Sequence, residues 1–228
     1  MKPIIGILTR PYIRDNGVKV DAVTNMNRRA ILKNGGIPIG LLPTQDLNYI
    51  ELKREDTPLM SEEEKNDIIK QLDLCDGVLL QGGNRWYEYD EFVMNYIIEK
   101  NIPCLAICMS MQLLSFTDLK KEGYNYENRE VQNHKSDEEY KHTINIKDDS
   151  VLYKILGKNV IPVNSFHKYA ITKTSKAKFI ATAPDGVIEA IEYPGRFILG
   201  LQWHPEKLID VDNDANEIFK YFIKICTK

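Results

Sequence analysis

Leu105-Ala106-Ile107-Cys108-Met109-Ser110-Met111-Gln112 runs an apolar strand pattern straight into a helical one, with a cysteine at the junction. Pro103–Ile107 is short and apolar, as a buried strand is, and the segment from Met109 to about Leu119 predicts a helix. Cys108 then stands in a sharp turn at the carboxyl end of a parallel strand, the edge where ligands of open α/β sheets gather. Its thiol also meets a helix N-terminus, whose partial positive charge favours thiolate. Ala106 and Ser110, two positions before and after, are small enough to let strand and helix approach, as a nucleophile elbow requires.

Outward from this junction the first half alternates strand and helix. Ile4–Leu8, Ile37–Leu42 and Gly77–Leu80 read as buried strands, and Val20–Asn34 reads as a helix closed by Gly35-Gly36. Ser61 opens a helix to about Leu74, with Glu64 three residues on in a capping-box arrangement. Glu88–Lys100 is helical. This rhythm predicts a parallel sheet covered by helices on both faces. In the second half, Lys141–Ile146, Phe179–Thr182, Val187–Glu192 and Phe197–Gln202 are short strands split by turn signals, read as antiparallel additions. Asp118–Glu139 is polar and reads as a long loop, with His134 on the surface. Asp214–Cys226 closes as a helix. All 228 residues are expected in one domain.

Composition narrows the function. Net charge is −3 with Lys and Arg scattered, so there is no basic footprint for nucleic acid. No segment approaches the roughly 18 apolar residues of a membrane span, and the N-terminal run is too short for a signal peptide. The expected location is the cytoplasm, with Cys75, Cys104, Cys108 and Cys226 reduced. No Cys/His spacing matches a zinc finger, so neither metal nor cofactor is expected.

An elbow cysteine needs a base. Gln202-Trp203-His204-Pro205-Glu206 ends a strand, and residues two apart on an extended chain share a face. Glu206 can accept the Nδ1 proton of His204 and leave Nε2 for a thiol, the nucleophile–base–orienter arrangement. The residues alone equally allow a surface His–Glu pair and a structural cysteine.

Four stretches resemble the class I glutamine amidotransferase superfamily, and within it the branch of γ-glutamyl-γ-aminobutyrate hydrolase-like γ-glutamyl peptidases. They are Ile4–Thr9 with Asn34–Pro38 and Leu41–Pro43; Asp76–Gly83; Ile102–Cys108 with Gln112; and Val163–His167, Ala183–Glu192 and Gln202–Glu206. The resemblance implies a three-layer α/β/α, flavodoxin-like and mostly parallel sheet with added antiparallel strands. It implies a Cys108–His204–Glu206 triad, oxyanion donors from the backbone of Gly83 and Met109, and glutamyl contacts from Gln112, Ser165, Phe166 and His167. The partner is then a small γ-glutamyl substrate, opened through a thioester on Cys108. A glutaminase subunit feeding a separate synthase, and a catalytically impaired binding protein, are the rival expectations. A homo-oligomer is left open.

The chain departs from the family pattern in places. Gly-x-Cys-x-Gly is replaced by Ala106-Ile107-Cys108-Met109-Ser110, which is expected to tighten the pocket. Trp86, Tyr87 and Tyr89 follow Gly82-Gly83 and are expected to remodel its mouth, and Lys168 stands where a second histidine is usual.

Overall fold

The computed structural model describes residues 1–227, with the side chain of Arg54 left out. Its elements in chain order are β1 (Ile4–Leu8), β2 (Arg10–Ile13), β3 (Lys19–Ala22), α1 (Asn25–Lys33), β4 (Ile37–Leu41), α2 (Glu62–Leu72) and β5 (Gly77–Leu80). There follow α3 (Glu88–Lys100), β6 (Cys104–Ile107), α4 (Met109–Lys121), β7 (Asn128–Glu130), β8 (His142–Ile146), α5 (Val151–Leu156) and β9 (Val160–Val163). The chain closes with β10 (Tyr169–Ile171), β11 (Lys178–Thr182), β12 (Ile188–Glu192), β13 (Ile198–Leu201) and α6 (Asn213–Cys226).

Nine strands form one sheet in the order β4-β1-β5-β6-β13-β12-β11-β8-β9. The first five run parallel, and from β13 outward every pairing is antiparallel. β5 and β6 are buried at every position, the pattern of central strands covered on both faces. Their side chains divide between the faces by the period of two. Leu79, Leu105 and Ile107 join a core with Ile31 of α1, Leu152 of α5 and Phe219 and Phe222 of α6. Val78, Leu80, Cys104 and Ala106 face Ile68 of α2, Val93 and Ile97 of α3, and Leu114 of α4. This is the expected three-layer α/β/α arrangement.

Local signals explain where elements start. The Ser61 hydroxyl accepts from the Glu64 N–H at 3.2 Å while the Glu64 carboxylate accepts from the Ser61 N–H at 2.7 Å, closing the capping box of α2. Gly35 ends the α1 turn with φ +95°, open only to a residue without Cβ strain. α6 buries Ala215, Ile218, Phe219, Phe222, Ile223 and Cys226, the i, i+3, i+4, i+7 stripe of an amphipathic helix.

Three expectations need correction. Val20–Asn34 is not one helix: Lys19–Ala22 forms a hairpin with Arg10–Ile13, and the helix begins at Asn25 because the Thr24 hydroxyl caps it by accepting from the Asn27 N–H. The polar Asp118–Glu139 stretch is not all loop. α4 continues to Lys121, and Asn128–Glu130 pairs with β10 as a small ribbon. His134, expected at the surface, is only 3% exposed.

Candidate active site

Cys108 sits between β6 and α4 with φ +52° and ψ −109°, a left-handed conformation that costs a non-glycine residue about 1–3 kcal/mol. The Cys108 N–H donates to Leu201 O at 2.7 Å, tying the turn to β13. The substitutions around the elbow are accommodated. Ala106 faces Gly200 across the parallel pairing of β6 and β13. The buried Ser110 hydroxyl donates to Gln81 O at 2.9 Å and accepts from Arg10 at 3.2 Å, while Arg10 also pairs with buried Asp90. Gly82 lies at close approach to both catalytic candidates: a Cβ there would stand 3.0 Å from the His204 ring and 3.3 Å from Cys108 Cβ, so one of them would have to give by a few tenths of an ångström.

β13 runs parallel beside β6, so the chain leaving it brings His204 over the cysteine. Asn164 grips the His204 backbone from both sides, accepting from its N–H and donating to its carbonyl, each at 2.8 Å. His204 Nδ1 is 2.7 Å from Glu206 Oε1, and Glu206 is 4% exposed. With the carboxylate taking the Nδ1 proton, Nε2 is the nitrogen left for chemistry. Burial alone would push the His204 imidazolium down. The charges of Glu206 and of a Cys108 thiolate outweigh that and raise it from the ordinary 6.5 to about 10.

The other thiols behave as interior residues. Burial pushes Cys75 up to about 11, Cys226 up to about 12, and Cys104 up as well. None of them lines the cavity beside Cys108.

That cavity, of about 400 Å³, is bordered by Cys108, His204, Gly83, Met109, Gln112, Phe166 and His167, together with Trp86, Lys135, Lys168 and Tyr169. Seven of the nine expected site residues therefore meet in one place. Met109 is the first residue of α4, so its N–H has no partner within the helix. The Gln112 amide is oriented by donating to Tyr169 O at 2.8 Å and Gln202 Oε1 at 3.1 Å. Glu206 lies behind His204, where an orienting carboxylate belongs.

Ser165 is the exception. Its side chain is fully buried and its hydroxyl donates to His134 O at 2.8 Å, so it does not border the cavity. Its carbonyl accepts from Ser136 N–H and the His167 N–H donates to His134 O, so these two backbone groups of the segment are already engaged. Of the aromatics after Gly82-Gly83, Trp86 reaches the cavity, whereas Tyr89 turns into the core against Tyr49. Tyr87 lines an adjoining cleft of about 510 Å³ that shares Gly83 and Asn84 but not Cys108.

Sequence reasoning passed over Asn164, and Gln202, whose amide approaches Cys108 Sγ at 3.6 Å. Both lie at strand ends inside stretches already quoted, but neither type announces a role without its partner. It also missed a second polar cluster behind the cavity wall, where His134, His142 and His167 surround the buried carboxylate of Glu189. Three of these, His134, His142 and Glu189, present ligand atoms within 4.8 Å of one another.

Residues 87–206, the span carrying the elbow and the His-Pro-Glu segment, match the family described as Peptidase C26. The chain belongs to this family. Glutamine amidotransferase-like protein RP404 of Rickettsia prowazekii is 30% identical, with 98% of this chain and 97% of that protein covered. The γ-glutamyl-γ-aminobutyrate hydrolase PuuD of Escherichia coli is 28% identical over 59% of this chain and 58% of its own length. The glutaminase domain of Trypanosoma brucei CTPS, solved with bound acivicin, superposes with a TM-score of 0.68 at 16% identity, covering 98% of this chain and 93% of that one. The Peptidase C26 chain is thus a glutamine amidotransferase-like hydrolase on an α/β/α fold. Among the described residues, no helix is long and apolar enough to cross a membrane.

Proposed function

We propose that this member of the Peptidase C26 family hydrolyses γ-glutamyl amides through a thioester on Cys108. The observation that carries the proposal is the convergence of Cys108, of His204 bonded to Glu206 at 2.7 Å, and of Gly83 on one cavity. PuuD, a γ-glutamyl-γ-aminobutyrate hydrolase by name, supports the substrate class.

The reaction follows from the residues. The Cys108 thiolate attacks the γ-carbonyl carbon, and the oxyanion is received by the Gly83 and Met109 N–H groups. Two fixed donors stabilise such charge by several kcal/mol. His204, protonated at neutral pH, gives its Nε2 proton to the leaving nitrogen as the C–N bond breaks. Water then enters, His204 takes its proton, and the thioester opens to glutamate and free thiolate. The α-carboxylate of the glutamyl group meets the cationic edge formed by Lys135 and Lys168, and its α-amino end meets Gln112 and the Phe166–His167 backbone.

The test is a panel of γ-glutamyl amines and peptides, with glutamine included, assayed on purified wild type and Cys108→Ala. The expected result is turnover of at least one γ-glutamyl compound that the variant abolishes while keeping its circular dichroism. Turnover retained by the variant would overturn the assignment of Cys108. Glutamine hydrolysis that emerges only on adding a synthase would replace the hydrolase by a glutaminase subunit.

A further inference from the structure

Four histidines occur in the chain, and three of them converge on one carboxylate. Glu189 projects from β12 and is fully buried. Around its Oε1 stand His134 Nδ1 at 3.3 Å, His142 Nε2 at 3.6 Å and His167 Nε2 at 3.6 Å. These groups come from four separate places: the segment between β7 and β8, the first residue of β8, the loop between β9 and β10, and β12.

The outer nitrogens settle where the protons are. His134 Nε2 is 2.9 Å from the Asp185 carboxylate, His142 Nδ1 is 3.1 Å from Thr143 O, and His167 Nδ1 is 3.1 Å from Tyr169 O. All three partners are acceptors, so in a neutral ring the hydrogen belongs on the outer nitrogen. Each inner nitrogen then presents a lone pair toward a carboxylate that also has only lone pairs to offer. His142 Nε2, His167 Nε2 and both Glu189 oxygens lack hydrogen-bond partners although they are buried. The Ser165 hydroxyl lies 3.3 Å from His134 Nδ1 but is engaged with His134 O.

Lone pairs converging on a buried carboxylate in this way fit a bound cation. One proton could bridge one pair and would leave the others facing each other. A tetrahedral ion bound at about 2.0–2.1 Å sets its ligand atoms about 3.3 Å apart, near the 3.3 and 3.6 Å from Glu189 to His134 and His142, and the ligand atoms of these three residues all lie within 4.8 Å of one another. The outer contacts, one carboxylate and two backbone carbonyls, are those that orient imidazoles on a metal.

We propose that His134, His142 and Glu189 bind one divalent transition metal of the zinc class, with His167 beside Glu189 at its edge. Two imidazoles and one carboxylate supply three ligands, and His167 Nε2, 3.6 Å from Glu189, is the nearest further nitrogen for a fourth. The ion ties the segment after β7 to the sheet behind the loop after β9, and that loop supplies Phe166 and His167 to the wall of the Cys108 cavity. The assignment does not depend on the hydrolase reading, since neither Cys108 nor His204 is a ligand.

The test is metal binding to the full-length protein. Wild type stripped by a chelator and dialysed against Zn²⁺ or Co²⁺ is expected to retain one equivalent, and the Co²⁺ form to show the visible absorption of a tetrahedral N/O site. Glu189→Gln and His142→Asn should each weaken binding at least about tenfold, while His204→Gln, which removes the one histidine outside the cluster, should retain the full equivalent. Substoichiometric binding by folded wild type would overturn the proposal, whatever the variants do. So would cluster variants that bind as wild type does, or loss of the ion in His204→Gln alone.

Discussion

Two buried histidine–carboxylate groups lie on either side of one cavity wall, and they differ in where the ring hydrogens point. In the pair His204–Glu206 the ring nitrogen and carboxylate are 2.7 Å apart, and a hydrogen lies between them. In the cluster around Glu189 the nearest ring nitrogens are 3.3–3.6 Å away, and their hydrogens are drawn outward to Asp185, Thr143 and Tyr169. The first geometry suits a group that gives and takes protons. The second suits a group that holds a cation. Residue type alone distinguishes neither; the second partner of each imidazole does.

The largest expected effect is on the first side. His204→Gln should lower kcat by about 10²–10⁴, the usual weight of a general acid–base, with the circular dichroism unchanged. Near-wild-type kcat in a steady-state assay would place the base elsewhere and erase the contrast. Glu206→Gln should cost less, on the order of 10² in kcat, because His204 keeps its place but loses the carboxylate that orients and charges it.

The same pair predicts a pH dependence. His204 titrates at about 10 in the folded chain against 6.5 as its ordinary value, burial working downward and Glu206 and Cys108 upward. Its contribution to stability is therefore complete below about 6.5 and lost as pH rises through about 10. Urea unfolding followed from neutral to alkaline pH should show this decline in wild type and a smaller one in Glu206→Gln. An imidazole NMR titration of His204 with its midpoint near 6.5 would contradict the ion pair.

Glu189→Gln sharpens the other side. It should raise KM more than it lowers kcat, since Glu189 does not border the cavity but its cluster backs the loop carrying Phe166 and His167, and it should lower unfolding stability by about 1–3 kcal/mol. A large kcat loss with intact stability would make the cluster part of the chemistry. The smallest effect is expected at the elbow: Ser110→Ala removes the hydroxyl that donates to Gln81 O and should cost about 1 kcal/mol in urea unfolding, with activity retained.

The two sides also differed in how visible they were from sequence. β5, β6 and α4 are legible because a strand buried on both faces is apolar throughout and the elbow follows without a linker. His204 and Glu206 are legible because they are two residues apart, and local geometry puts both on one side. The strand-end pattern at Ser165 does not say which way a buried hydroxyl turns. His134 has polar sequence neighbours, and its burial comes from β12, far along the chain. The Glu189 cluster joins four segments through contacts between side chains, and no local period or spacing encodes such contacts. Val20–Asn34 carries one apolar pattern across two elements, and only the cap at Thr24 marks where the hairpin strand ends and the helix begins.

The central claim is that Cys108 carries the glutamyl group. Acid quenching during turnover of a γ-glutamyl substrate, followed by peptide mass mapping, tests this most directly. The account predicts a glutamyl adduct on the peptide containing Cys108, lost on treatment with hydroxylamine and absent from Cys108→Ala. Turnover with no adduct on that peptide, or with an adduct on Cys75, Cys104 or Cys226, would contradict it.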